Sequence, residues 1–191
     1  MTDAELRAAL ETHHSESYGW ALSCCARSAV EAETVLQSVY LKVLMGKARY
    51  DGRASFKTWL FAVIRRTAAD EQRKQILRRL LLDRQRASPA LTAITQPEEV
   101  VQRAELRRLL RRMLEQLPRR QREVLQLVFY HDLSLAEAAQ VMGISLGSAR
   151  KHYQRGKNQL REQMEGWRIH NEAGRDREDN QRIISETEAG G

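Results

Sequence analysis

Apolar residues recur at helical spacing through most of the chain. Val35, Leu36, Val39, Tyr40, Val43 and Leu44 share one stripe, the three-and-four alternation of an amphipathic helix. Gly46 ends that helix, and a polar segment runs from Lys47 to Ser55. Phe56, Trp59, Leu60, Val63, Ile64 and Thr67 then mark one face of a second long helix, whose other face carries Lys57, Arg65, Arg66, Arg73 and Lys74. The pattern breaks from Ala87 to Pro97, where Ser88-Pro89 and Gln96-Pro97 bias the backbone away from helix. It resumes behind Glu98 and Glu99, acids suited to a helix start, with Leu106, Leu109, Leu110, Met113, Leu114 and Leu117.

Pro118 begins a further helix at a position where a missing N–H costs little, and Val124, Leu125, Leu127 and Val128 form its apolar stripe. Ser134 is a suitable N-cap for a short helix ending at Met142, and Ser145 for a last helix burying Ala149, Tyr153, Leu160 and Met164. After Gly166 the chain turns polar, and disorder is expected there. The expectation is an all-α protein of two small helical domains joined by a flexible linker: 1–86, linker 87–97, 98–166, and a disordered tail 167–191.

Composition narrows the function. Lys and Arg number 32 against 25 Asp and Glu, a net charge of +7, which favours polyanionic partners. The arginines crowd the span from Arg53 to Arg122, whereas the tail leans acidic. No apolar run has the length of a membrane span and no signal-peptide pattern opens the chain, so a cytoplasmic protein without membrane insertion is expected. Cys24 and Cys25 are adjacent, which excludes a disulfide framework. Together with His13 and His14 they match no closed zinc-site spacing, and no metal or cofactor is expected. Neither paired acids for metal ions, nor a phosphate-cradling glycine loop, nor an activated nucleophile is visible, so neither catalytic residues nor a small-molecule substrate are expected.

Two segments carry the candidate chemistry. In the first, Leu135 to Met142 is followed by Gly143-Ile144-Ser145 and a longer basic helix. Small Ala138 and Ala139 allow close helix approach, Gly143 can adopt the left-handed turn, and Ile144 can fill the space between the helices. That is the physical content of a helix-turn-helix, whose second helix would present Ser148, Arg150, Lys151, His152, Gln154 and Arg155 to duplex DNA. A plain helical hairpin with a solvated face is the bland alternative. In the second segment, Lys47, Arg49, Tyr50 and Arg53 precede an aromatic, basic helix. Basic groups beside aromatics suit single-stranded DNA, whose bases stack while its phosphates follow a positive groove. Trp59 shares its face with Leu60 and Val63 and reads as core.

These segments, in this order, resemble extracytoplasmic-function sigma factors. The resemblance runs through Val35–Val43, Ser55-Phe-Lys-Thr-Trp-Leu60 and Asp70–Arg73. It resumes at Leu117-Pro-Arg-Arg-Gln-Arg-Glu-Val-Leu125, Leu133–Ala139, Met142–Arg150 and Arg155–Arg161. It implies a non-enzymatic subunit that directs core RNA polymerase to promoters. The first domain would open and hold the −10 element, the loop from Gly46 to Ser55 capturing a flipped non-template base, with Arg65 and Arg66 on the following helix. Gln37, Tyr40 and Lys42 would dock on polymerase, the second domain would read the −35 duplex, and an anti-sigma factor would hold the protein inactive, in some cases at the inner membrane. Three departures stand out: Arg66 where the family usually has Asn, Ala138 where it has a larger aliphatic, and Ala149 where it has Val. The competing reading is a helix-turn-helix regulator acting without polymerase, which leaves the Trp59 helix and its basic loop without a purpose.

Overall fold

A computed structural model describes residues 2–82 and 101–188 of the 191-residue chain, so the 87–97 linker and the Glu98–Glu99 helix start lie outside the described residues. The described residues form eight helices and no strand: α1 (Asp3–Thr12), α2 (His14–Cys24), α3 (Ala29–Leu44), α4 (Phe56–Leu82), α5 (Val101–Gln116), α6 (Arg119–Phe129), α7 (Leu135–Met142) and α8 (Leu146–Glu188). The all-helical expectation holds.

Local chemistry explains the boundaries. Thr2 and Glu5 form a reciprocal capping box at the start of α1. Ser28 caps α3 through the Glu31 N–H, and Ser55 caps α4 through the Thr58 N–H. Between α2 and α3, Ala26 (φ 49°) and Arg27 (φ 66°) both take the left-handed region, which costs a non-glycine residue roughly 1–2 kcal/mol. The turn is held from outside: the Gln72 amide on α4 donates to the Cys24 carbonyl at 2.8 Å.

The first block packs α2 and α3 against α4, with α1 along α3. Trp20 is wholly buried and donates its indole N–H to the Phe61 carbonyl at 3.1 Å. Val35, Leu36, Val39 and Val43 form the core face of α3. In the second block α6, α7 and α8 pack together, with Met113 of α5 and Leu117 just after it also buried. Gly156 permits the closest approach there, because a Cβ at that position would lie 2.9 Å from Leu125 Cδ1 and 3.2 Å from Gln121 Cβ. Gly156→Val should therefore push α8 off α6 and destabilise the second block by about 1–3 kcal/mol. Urea unfolding checks this, and an unchanged midpoint would mean that the contact is slack.

The blocks also pack on each other. α4 is buried on more than one side: Leu60, Val63, Ile64 and Thr67 are buried, Thr67 accepting from Lys42 of α3, while Thr58, Phe61 and Arg65 meet α7, the turn before it and α6. A basic outer face was expected for α4, but Lys57 and Arg65 are largely covered, paired with Glu16 at 2.8 Å and Glu123 at 3.1 Å. Beyond Gly166, where the polar sequence leads one to expect a loss of order, α8 is drawn as a helix to Glu188. Between Trp167 and Glu188 there is no proline and a single glycine, so little in the backbone chemistry opposes a helix already nucleated. Met164, expected to be buried, is 49% exposed because α8 has by then run past α6.

Candidate nucleic-acid interface

The helix-turn-helix is built by its caps. The Glu137 carboxylate accepts from the Ser134 N–H at 2.9 Å and hydroxyl at 2.7 Å, while the Glu137 N–H donates to Ser134 Oγ. These side-chain and backbone bonds to Ser134 hold the Glu137 carboxyl below its usual pKa range. Gly143 ends α7 in the left-handed conformation (φ 63°, ψ 41°), and Ser145 caps α8 through the Ser148 N–H. Ala138, Ala139 and Ala149 are buried where the helices meet. Arg120 of α6 donates to the Met142 carbonyl at 3.3 Å, tying the turn to the rest of the block.

This frame places Arg150, Lys151, Gln154 and Arg155 together on the exposed face of α8. Among the described residues no hydrogen bond or ion pair engages these four side chains. Two other sequence candidates sit differently. Ser148 is half-buried with its hydroxyl 3.0 Å from Ser145 Oγ, and His152 is half-buried at the edge of the face. Asn158, one turn beyond Gln154 and exposed, extends the same face. It was missed because Asn by itself carries no signal, and only its register shows where it lies.

The loop before α4 is ordered by aromatics. Tyr50 lies 5.5 Å from Phe56 and 5.4 Å from Trp59, and its hydroxyl donates to the Ala54 carbonyl at 2.6 Å. Trp59 is half-buried in this cluster rather than in the deep core, a place taken by Phe61. Lys47, Arg49 and Arg53 project around the cluster, Arg49 turning back to the Gly46 carbonyl and Arg53 pairing with Asp51. Arg66 is exposed on α4, whereas Arg65, one residue earlier, is turned inward to Glu123.

On α3, Gln37 is exposed, Tyr40 lies 3.0 Å from His14 Nδ1, and Lys42 donates to Thr67 Oγ1 at 3.1 Å. Beside Gln37 the structure exposes Leu41, Leu44 and Met45. The helical stripe had assigned Leu44 to the core, but α1 covers that edge only in part. His13 is held by Glu16 and stacked on Phe56, far along α2 from Cys24 and Cys25. Burial pushes both thiols up, Cys25 to about 11, so both are neutral, weak ligands and nucleophiles.

His131, in the turn between α6 and α7, was not a sequence candidate. Its ring is buried 4.9 Å from Phe61 and 5.7 Å from Trp20, and its Nε2 has no hydrogen-bond partner. Burial lowers its pKa to about 4; Lys57 lowers it further, while Glu16 and Asp132 act the other way. A base with a depressed folded pKa contributes stability above its ordinary pKa of 6.5, and that stability is lost as pH falls toward 4. His131→Phe should flatten the dependence of the unfolding midpoint on pH in this window, and a wild-type slope in the variant would assign it to other groups.

A two-block, all-helical chain with a capped, basic helix-turn-helix is the class that the fold and the site define. The family described as Sigma-70 region 2 matches residues 9–79, and Sigma-70, region 4 matches residues 107–160. The ECF RNA polymerase sigma factor SigX of Bacillus subtilis (strain 168) is 31% identical over 163 residues, covering 81% of this chain and 81% of SigX. RNA polymerase sigma factor CarQ of Myxococcus xanthus is 32% identical over 141 residues, covering 74% and 79%. Among solved structures, the sigma factor RpoE from Bartonella quintana, crystallised with the anti-sigma factor NepR, superimposes with a TM-score of 0.65 at 19% identity, covering 84% of this chain and 97% of RpoE. CnrH, in complex with the cytosolic domain of CnrY, gives 0.59 at 20% identity, covering 86% and 90%. The chain belongs to the extracytoplasmic-function group of the sigma-70 family. That family is one of transcription initiation factors rather than enzymes. No helix among the described residues is long and apolar enough to cross a membrane.

Proposed function

We propose that the chain binds core RNA polymerase, directs it to −10 and −35 promoter elements, and initiates transcription of a particular set of genes. The observation that carries this is the unengaged basic face of Arg150, Lys151, Gln154 and Arg155 on a helix-turn-helix joined to a region 2 block. Arg and Gln on such a helix reach base edges in the major groove, and Lys meets phosphates. The loop cations Lys47, Arg49 and Arg53, the Tyr50 cluster and Arg66 suit a displaced single strand. Gln37, with Leu41, Leu44 and Met45 beside it, makes an apolar docking face for polymerase, and Tyr40 and Lys42 brace that face from within. The proposed division of the chain is 1–86 for −10 and polymerase contacts, 87–97 as linker and 98–166 for the −35 element.

Control by an anti-sigma factor is supported by the fold neighbour RpoE, which was crystallised with the anti-sigma factor NepR. Through that factor the protein would be held in the cytoplasm or at the inner membrane, without catalytic activity, metal or small-molecule cofactor of its own. Footprinting tests the reading. Protection of −35 and −10 elements should require core polymerase, whereas palindromic half-sites protected by the chain alone would mark a regulator that acts without it.

A further inference from the structure

The C-terminal end of α4 stands clear of its block. Gln72 still reaches the Cys24 carbonyl, and Gln75 still faces α3, lining a small cavity with Val30 and Thr34. Beyond them Ile76, Leu77 and Leu80 are 57%, 58% and 66% exposed. At about 100° per residue, these three centre on the side of the helix opposite Gln75, and so point away from α3. Single exposed apolar residues are ordinary, but three on one arc within two turns make a strip.

Cations edge this strip. Lys74 and Arg78 are exposed along one side of it. Arg73 lies on the same arc one turn earlier, where a long apolar stem can carry its charge outward. Asp70 and Glu71 pair with Arg73 and Lys74 at 3.4 and 2.8 Å. Further on the acids thin out: from Arg73 to Arg86 the sequence holds six cations and a single acid, Asp83. An apolar strip edged with cations complements a surface that is apolar beneath and anionic above, the headgroup boundary of an anionic bilayer. Nucleic acid offers the anions without the apolar layer. No helix among the described residues can cross a membrane, so such a contact lies in the plane of the surface.

We propose that the exposed end of α4 is a membrane-surface site: Ile76, Leu77 and Leu80 enter the headgroup boundary of an anionic bilayer while Lys74 and Arg78 hold its lipid phosphates. The site goes beyond the promoter reading and needs neither polymerase nor DNA. It gives the chain an affinity for membranes of its own, separate from any that an anti-sigma factor supplies.

Flotation of the full chain with vesicles tests this. Vesicles of equal parts phosphatidylglycerol and phosphatidylcholine should carry the protein, vesicles of phosphatidylcholine alone should not, and added salt should weaken the binding. Leu77→Gln with Leu80→Gln keeps the net charge and changes only exposed side chains. It should weaken binding at least about tenfold at unchanged helicity, from the apolar transfer that is lost. Lys74→Gln with Arg78→Gln should weaken it too, whereas Arg112→Gln with Arg161→Gln, the same charge loss at exposed positions of α5 and α8, should not. No binding to the mixed vesicles, or equal binding to both kinds, would overturn the site. Equal loss from both cation pairs, with none from the leucine pair, would reduce it to the general attraction of a chain of net charge +7 for anions. A leucine pair that floats like wild type would overturn it as well: weaker DNA binding in that variant would assign the strip to nucleic acid, and a change from dimer to monomer in light scattering would assign it to a second copy.

Discussion

Replacing Arg150 and Lys151 together with alanine will weaken promoter binding by the holoenzyme and flatten its salt dependence. Both side chains are exposed and unengaged on the outer face of α8, so their loss removes no internal contact. If both neutralise phosphates, the slope of log affinity against log salt falls by about 1.8, from the release of about 0.9 counterion per phosphate. If one instead reads a guanine edge, the slope falls by about half that, and discrimination at that base pair drops by roughly 1–3 kcal/mol. Filter binding across a salt series separates the two cases. An unchanged slope with unchanged discrimination would move recognition off this helix. The same pair of changes on Glu162 and Glu165, also exposed on α8, serves as the control for helix integrity.

Trp20→Ala should have the largest effect on stability, about 3–5 kcal/mol by loss of a fully buried aromatic. Trp20 packs on Phe61 at 5.9 Å with its ring nearly parallel, meets His131 edge-on and donates to the Phe61 carbonyl. It thus ties α2 to α4 and supports the ring that joins the blocks. Against a typical total of about 5–15 kcal/mol, such a loss removes much of the margin. Trp59→Ala should cost less, because Trp59 is half-buried at the block's edge. Chemical denaturation of both variants decides it, and equal losses would mean that the loop cluster carries as much stability as the core.

The helix-turn-helix was legible because its determinants are local. Ser134, Gly143 and Ser145 each act within a few residues through a cap or a left-handed turn, and those signals survive in sequence. The core faces of α3 and most of α4 were legible from period alone. α1 and α2 were not: their buried positions Leu10, Ser17, Trp20 and Ala21 include a hydroxyl and are spaced among His, Ser and Tyr, so no apolar stripe forms. The inward turn of Arg65 was hidden for another reason. Its partner lies 58 residues away in a run of arginines, where Glu123 reads as a local i,i+4 partner of Arg119. His131 likewise follows two exposed aromatics, Phe129 and Tyr130, and nothing beside it predicts burial against α2 and α4. Helix period reports which side of a helix is apolar, whereas contact between blocks depends on long-range packing that leaves no local mark.

The most direct test is transcription itself. The purified full chain added to core RNA polymerase, on a library of genomic fragments, should produce start sites that core polymerase alone does not, each preceded by shared −10 and −35 sequences. The absence of any new start site across the library, with binding to core polymerase also absent, would contradict assignment of this chain as a promoter-directing subunit.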